Sequence, residues 1–240
     1  MLLQSVIQAI YPPQCVACDA PTDRQAGLCA DCWSQTSFIG GLVCATCGTP
    51  LPGQDDGNVV QCDDCMVIAR PWQSGRSVFA YAGVGRRLVL ALKHGDRLDL
   101  APAVAPWMQQ RLQDMPITDP VCVPVPLHPT RLLRRRYNQS ALLAQALARR
   151  IGAELCNDAL LRVKRTRSLD GHDRSARFAA LDGAIAPNPR RLAQIVGRQI
   201  LLIDDVMTSG ATLAAATEAL RSGGAGLVSI LTLARVVKDA

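Results

Sequence analysis

Only 4% of the 240 residues are aromatic, three each of Trp, Tyr and Phe. A groove that stacks the bases of a single strand on rings needs more platforms than that, so contact with such a strand would be electrostatic and made to its backbone. No apolar run reaches the ~18–20 residues that cross a bilayer, so no membrane span is expected. Met1–Ile10 has neither a basic leading region nor a small-residue cleavage site, which reads against a secretory signal and for a cytoplasmic protein. Leu2, Leu3, Val6, Ile7 and Ile10 fall on one helical stripe, a pattern that packs on the protein itself. Basic side chains are scarce at the start: residues 1–70 hold two against seven acidic ones, although the whole chain is +6. The positive charge therefore belongs to residues 71–240, where a polyphosphate or nucleic acid would bind. Apolar residues make up 49%, ample for a sizeable core and too many for a disordered chain.

Cysteine, in contrast, is abundant and ordered. Eight of the ten form consecutive C-x-x-C pairs: Cys15/Cys18, Cys29/Cys32, Cys44/Cys47 and Cys62/Cys65. Each pair can turn both thiolates toward one ion, and the set makes two four-cysteine sites for tetrahedral Zn2+. Reducing conditions disfavour the disulfide reading, and an iron–sulfur cluster is the rival cofactor. The pairs also repeat: Cys15-Val-Ala-Cys18-Asp-Ala-Pro21 parallels Cys44-Ala-Thr-Cys47-Gly-Thr-Pro50, and Cys29-Ala-Asp-Cys32 parallels Cys62-Asp-Asp-Cys65. A duplicated unit favours sequential closure, with the first two pairs on one ion and the last two on another; an interleaved, RING-like pairing satisfies the same spacing. Protein fills every coordination position, so the metals are read as structural and as a source of folding free energy for segments too short to bury a core. Cys122 and Cys156 stand alone and read as small buried hydrophobes.

The densest chemical signal is Leu201-Leu-Ile-Asp204-Asp205-Val206-Met207-Thr208-Ser209-Gly210-Ala211-Thr212. An apolar strand ends in two carboxylates and runs through a hydroxyl- and glycine-rich turn into a helix. Main-chain N–H groups of Thr208 to Thr212 and the positive end of that helix make an anion site. An ordinary strand–turn–helix junction would not need the acids. Asp204 and Asp205 would repel a bare phosphate, so the ligand must also carry vicinal hydroxyls or a divalent cation; a ribose 5-phosphate with Mg2+ meets both conditions.

Elsewhere, Pro71–Arg76 reads as a linker between a metal-binding unit (1–70) and a second domain (77–240). Ser77–Ala82 reads as a strand and Gly85–His94 as a helix exposing Arg86, Arg87 and Lys93. A helix over Asp99–Gln113 must accommodate Pro102 and Pro106. Val121–His128 is a buried strand that runs into a proline-stiffened loop, Val125-Pro126-Leu127-His128. Arg131, Arg134, Arg135 and Arg136 follow, a candidate clamp for pyrophosphate because guanidinium groups bind phosphate oxygens in pairs. Ser140–Ile151 is a helix, and Arg162–Arg177 reads as a charged surface loop, either solubilising or a lid over phosphates; its His172 carries no special signal. The helix Ala211–Ser222 and the strand Leu227–Leu233 complete an α/β pattern, with a parallel sheet and its ligand at the carboxyl ends of the strands.

Residues 204–212 resemble the type I phosphoribosyltransferase signature, in which the acidic pair holds the ribose hydroxyls and the loop holds the 5-phosphate. The cysteine pairs, Val-Pro-Val-Pro-Leu-His, Arg135-Arg136-Tyr137-Asn138-Gln139 and this signature, in that order, resemble the ComF family over nearly the whole chain. The resemblance implies a double zinc ribbon followed by a type I phosphoribosyltransferase-like parallel sheet with flanking helices. It also implies a link to DNA uptake in natural transformation. Family members commonly have Arg-Gly-Phe-Asn-Gln where Arg136 and Tyr137 stand here, and Ser168-Leu169-Asp170-Gly171 with Arg177-Phe178-Ala179-Ala180 departs from the family's amide-bearing loop. The implied ligand is phosphoribosyl pyrophosphate with Mg2+, and the implied reaction displaces pyrophosphate through an oxocarbenium-like transition state. Asp204, Asp205, Lys93 and Arg135 would be catalytic and Arg131 would help on the pyrophosphate side. The alternatives are a non-catalytic module that binds this ligand or single-stranded DNA among competence proteins, and an adaptor that docks a partner through the acidic ribbons. No segment specifies an acceptor pocket.

Overall fold

The computed structural model describes residues 12–23, 26–113, 115–164, 181 and 183–237. The stripe at Met1–Ile10 and most of the charged loop, including Ser168, Gly171, His172 and Arg177, lie outside these residues.

Two short helices belong to the cysteine-rich part, α1 (Ala30–Ser34) and α2 (Asp63–Val67). Then follow β1 (Gly75–Ala80), α3 (Gly83–His94), α4 (Leu100–Gln110), β2 (Val121–Pro124), α5 (Pro129–Arg135), α6 (Gln139–Ile151), β3 (Glu154–Leu155) and β4 (Leu160–Arg162). The chain continues through β5 (Ile185–Pro187), α7 (Leu192–Ile195), β6 (Ile200–Met207), α8 (Ala211–Ser222) and β7 (Val228–Arg235). The main sheet has the order β1-β7-β6-β2-β3 and every pairing in it is parallel; β4 and β5 form a separate antiparallel pair. No helix among the described residues is long and apolar enough to cross a membrane.

The central strands are continuous apolar runs because both of their faces are covered, and β7 is buried along its full length. One face packs against α3, α4 and α6 through Leu88, Leu92, Val104, Met108, Leu143 and Leu147. The other receives α8, α7 and the second cysteine unit through Leu213, Leu220, Ile195, Cys44, Cys47 and Trp72. Helix α6 starts where the Asn138 side chain accepts from Ser140 N and stops at Gly152 with φ 69°. Pro102 lies in the first turn of α4, where its missing N–H is not required, while Pro106 sits inside the helix.

Three expectations change. Gly75 and Arg76 are already strand, and Trp72 is 3% exposed, so Pro71–Arg76 is a packed junction rather than a free linker. Arg162 is on β4, paired with Ile185, and not in a surface loop. Lys93 is half-buried and turned to a carboxylate, unlike the exposed Arg86 and Arg87 beside it.

The cysteine-rich part docks on the sheet at two places. Residues 37–39 run along the free side of β1, with Ile39 N donating to Val78 O (2.9 Å) and Ala80 N to Ser37 O (2.9 Å), which covers an edge strand. The second contact is the Cys44–Cys47 turn, whose main-chain carbonyls are taken one by one: Ala45 O by Arg76, Thr46 O by Trp72 Nε1 and Cys47 O by Arg235. Gly48 is the residue that permits this approach. Its φ is 68°, and a Cβ there would lie 2.7 Å from Gly75 O and 2.9 Å from Arg76 Cα.

Candidate functional site

β2 stops pairing with β6 at the register Pro124 to Ile203. One residue further on β6, Asp204 and Asp205 emerge beside the space that the departing β2 loop leaves. The Ser140 hydroxyl, at the start of α6, donates to Asp204 Oδ1 at 2.7 Å, and Asp205 N donates to the same oxygen at 2.9 Å. Lys93, in the last turn of α3, places Nζ 3.1 Å from Asp205 Oδ1. Burial first, and the adjoining Asp205 carboxylate second, raise the Asp204 acid to about 7. The two adjacent carboxyl groups offer oxygens that can accept hydroxyl donors or hold a cation.

The Arg-Arg-Tyr-Asn-Gln stretch works here as a clasp. Tyr137 Oη donates to Leu92 O (2.9 Å), Asn138 Nδ2 to Val125 O (3.0 Å) and Gln139 Nε2 to Lys93 O (3.4 Å). Three consecutive side chains thus tie the end of α3 and the loop after β2 to the start of α6, which sets Lys93 and Ser140 against the acidic pair. Arg135 is half-buried and its Nη1 donates to Gln139 Oε1 at 3.4 Å, so it braces the clasp. His128 caps α5, its Nδ1 accepting from Thr130 N at 3.3 Å. Val125 and Pro126 are buried and Leu127 is half-buried. Arg131 lies close enough to Arg162 to depress the latter's pKa after burial has done so, while Asp204 acts on Arg162 in the opposite sense. Arg162 is therefore within electrostatic reach of both Arg131 and Asp204.

Beyond the pair, Val206 is half-buried and Met207 buried; Thr208 is exposed and Ser209 half-buried. Gly210 adopts φ 81° as the N-cap of α8, and the Ser209 hydroxyl accepts from Ala211 N at 3.4 Å. Ala211 and Thr212 open a twelve-residue helix whose first N–H groups have no acceptor within the helix, so the turn keeps the donor-rich form that an anion needs.

Eight thiols gather into two groups in sequence order: Cys15, Cys18, Cys29 and Cys32, then Cys44, Cys47, Cys62 and Cys65. Within each group all sulfur atoms lie within 4.8 Å of one another. The Sγ separations Cys18–Cys29 and Cys47–Cys62 are both 3.7 Å, which matches the edge of a tetrahedron with ~2.3 Å metal–sulfur bonds. The thiols oppose each other's ionisation: hydrogen bonding from Cys47 pulls Cys44 down to about 4, whereas Cys47 itself is raised by the same contact and by burial. Burial and neighbouring thiols push Cys32 up to about 12. Four thiolates at such spacing require a cation, and Arg235 and Arg70 at the second group, each with a buried Nε lacking a partner among the described residues, suit the net negative charge of a tetrathiolate centre.

Comparison with known proteins agrees with both halves. A double zinc ribbon domain matches residues 6–66 and a phosphoribosyl transferase domain matches residues 137–239. DNA utilization protein YhgH of Salmonella typhi is 31% identical over 234 residues, covering 94% of this chain and 98% of that protein. The protein of the same name from Escherichia coli is 29% identical over 218 residues, 88% of this chain and 91% of its own. Competence protein F of Haemophilus influenzae is 28% identical over 218 residues, 87% of this chain and 90% of its own.

The chain belongs to the ComF family. The two thiol groups are the zinc sites of its double ribbon, closed sequentially as the internal repeat implied. At the ComF glycine position, Arg136 stands at φ 67° as the left-handed C-cap of α5, a conformation that costs a non-glycine residue on the order of 1 kcal/mol. Sequence reasoning missed Ser140 as a partner of Asp204 and left Arg162 in a loop. The first had a signal in the Asn-Gln-Ser start of α6; the second needed the β4–β5 pairing.

Proposed function

We propose that this ComF-family protein binds phosphoribosyl pyrophosphate with Mg2+. Asp204 and Asp205 hold the ribose diol, the Thr208–Thr212 turn holds the 5-phosphate, and the loop Val125–His128 with Arg131 lies on the pyrophosphate side. The observation that carries this reading is the placement of an acidic pair and a donor-rich helix start at consecutive positions on one strand end. The hard carboxylate oxygens suit Mg2+, which when bound neutralises the leaving pyrophosphate. The chain's own residues orient and balance charge. Lys93 offsets the Asp205 carboxylate, so the pair repels a phosphorylated sugar less than two bare acids would. Arg131 and Arg162, within electrostatic reach of one another, supply positive charge that would stabilise a departing group. Transfer of the phosphoribosyl group to a nucleophile is the chemistry such a site supports.

Calorimetric titration of the Asp204→Asn/Asp205→Asn double variant with phosphoribosyl pyrophosphate and Mg2+ tests this. Affinity should fall at least about a hundredfold, as expected when several charge-assisted hydrogen bonds go together, with an intact thermal transition. Undiminished affinity sinks the assignment. The raised Asp204 pKa has a sign that can be checked too. Its folded value, about 7, exceeds the ordinary carboxyl value. The protonated form therefore stabilises the fold at low pH, and this contribution is lost as pH climbs from about 4 through about 7. A ligand diol requires the ionised acceptor, so affinity should weaken by up to about tenfold per pH unit below about 7 in the wild type, and this dependence should vanish in Asp204→Asn.

A second reading has support in the relatives' names, which refer to DNA utilization and competence. Trp33 is 52% exposed and packs tilted against Phe38 at 4.5 Å, and Arg87 of α3 reaches the adjoining Cys32 at 3.9 Å, so one ring and one basic side chain lie close together. A DNA affinity that falls steeply with salt, with no pyrophosphate release across a panel of acceptors, would favour that module over the enzyme.

A further inference from the structure

The second zinc centre and the phosphate turn are joined by a single side chain. Arg70, five residues past Cys65, sends Nη1 3.0 Å to Ser209 O, the carbonyl on the back of the turn. The same guanidinium interacts with the Cys65 thiol. It lies 5.4 Å above the Trp72 ring, and Trp72 in turn donates to Thr46 O between Cys44 and Cys47 (2.7 Å). Gly210 is closed in by the same group: a Cβ there would meet Met207 Cε at 2.9 Å, Trp72 Cη2 at 3.1 Å and Arg70 Nη1 at 3.2 Å. At the far end of the turn, Val236 N donates to Met207 O (2.9 Å) one residue after Arg235, whose guanidinium holds Cys47 O. Among the described residues the first centre makes no such contact with the turn; it meets the sheet domain through the 37–39 segment, apolar packing of Cys15, Val16 and Cys32, and Arg87 Nη2, 3.9 Å from Cys32 Sγ.

We infer that Arg70 is a positioning residue that couples the second zinc centre to the phosphate turn, so that the metal at this centre, and not at the first, keeps the Thr208–Thr212 donors aimed at the ligand. With Ser209 O fixed from behind, the turn's N–H groups face forward; without Arg70 or the thiolate cluster that anchors it, the peptide groups can rotate. The inference rests on the phosphate reading only for what the turn binds. By linkage, a phosphate ligand that needs the ordered turn retards metal loss from the second centre.

The test uses the full-length zinc-loaded protein. Zinc is released stepwise with a thiol-modifying reagent while hydrogen exchange is followed in the peptide spanning residues 204–212. The more exposed first centre should yield its ion first, leaving exchange in the turn unchanged; loss of the second should raise it about tenfold. Arg70→Ala should reproduce that rise with both ions retained and weaken ribose 5-phosphate about tenfold while leaving inorganic pyrophosphate binding unaltered. Arg70→Lys, which keeps the charge but not the fork, should fall between. Turn exchange in Arg70→Ala equal to wild type, or an equal response to loss of either ion, overturns the coupling. Coupled exchange in a wild type that binds no ribose 5-phosphate would uphold the coupling and remove the phosphate reading instead. Should Arg70→Ala fail to fold, the stepwise release on wild type decides the matter.

Discussion

The two zinc centres come from one repeated unit and carry the same ligands, yet they are embedded differently. In the first, Cys15 and Cys32 are buried but Cys18 is exposed and Cys29 half-buried, and Trp33 of α1 remains half in solvent; in the second only Cys62 is half-buried and none is exposed. In the second, Cys44, Cys47 and Cys65 are 0%, 2% and 7% exposed, and guanidinium groups of Arg70 and Arg235 approach the thiols or their carbonyls. A turn that spends its N–H groups on sulfur has its carbonyls left over. Around Cys44–Cys47 those carbonyls are satisfied by side chains of the sheet domain and its junction, whereas the first centre joins that domain through apolar packing of Cys15, Val16 and Cys32 with β1 and α3 and through the 37–39 segment on the edge of β1. Duplication has thus produced a structural pair whose members differ in what their loss would undo.

Removing each centre should break the comparison most visibly. Cys47→Ser/Cys62→Ser should abolish cooperative unfolding of the whole chain or lower stability by about 5 kcal/mol or more, because a structural metal and part of the sheet's packing are lost together. Cys18→Ser/Cys29→Ser should leave the sheet domain's thermal transition in place, with a loss of about 1–2 kcal/mol; equal damage from both would refute the asymmetry. Gly48→Ala comes next: a positive φ and a backbone collision together should cost about 2–4 kcal/mol by denaturant titration, with zinc still bound at the first centre. The smallest effects lie in the arginines. Arg235→Met, which strands the buried Cys47 carbonyl, should cost about 1–3 kcal/mol, whereas Arg87→Ala beside Cys32 should stay within about 0.5 kcal/mol.

Much of the site was readable because its parts are contiguous. The cysteine pairs are local knuckles, so spacing alone identified the ligands, and the repeat identified their grouping. The acidic pair and the Thr208–Thr212 turn are contained in nine successive residues, and strand-to-helix chemistry needs no distant partner to be recognised. Lys93, Arg162, Ser140 and Arg70 are different. Periodicity put Lys93 on a polar helix face, but that face closes against Asp205 only because Tyr137 and Gln139 draw the last turn of α3 inward through Leu92 O and Lys93 O. Arg162 looked like loop charge until β4 paired with β5. The Tyr-Asn-Gln clasp was legible as a motif but not in its role, since its side chains address main-chain groups that no sequence pattern marks.

Residue order alone settled the alternation of strands and helices, the ligands of two metals, and a strand end that carries two adjacent acids into a glycine- and hydroxyl-rich turn. These follow from covalent neighbours, whose geometry is limited by the backbone. The fold decided which polar groups meet: an α3 lysine with Asp205, an α6 serine with Asp204, and Arg70 with the Ser209 carbonyl of the turn before α8. Such pairings depend on how helices and ribbons pack on the two faces of the sheet, and the free energy that selects them is spread over a core no single segment contains.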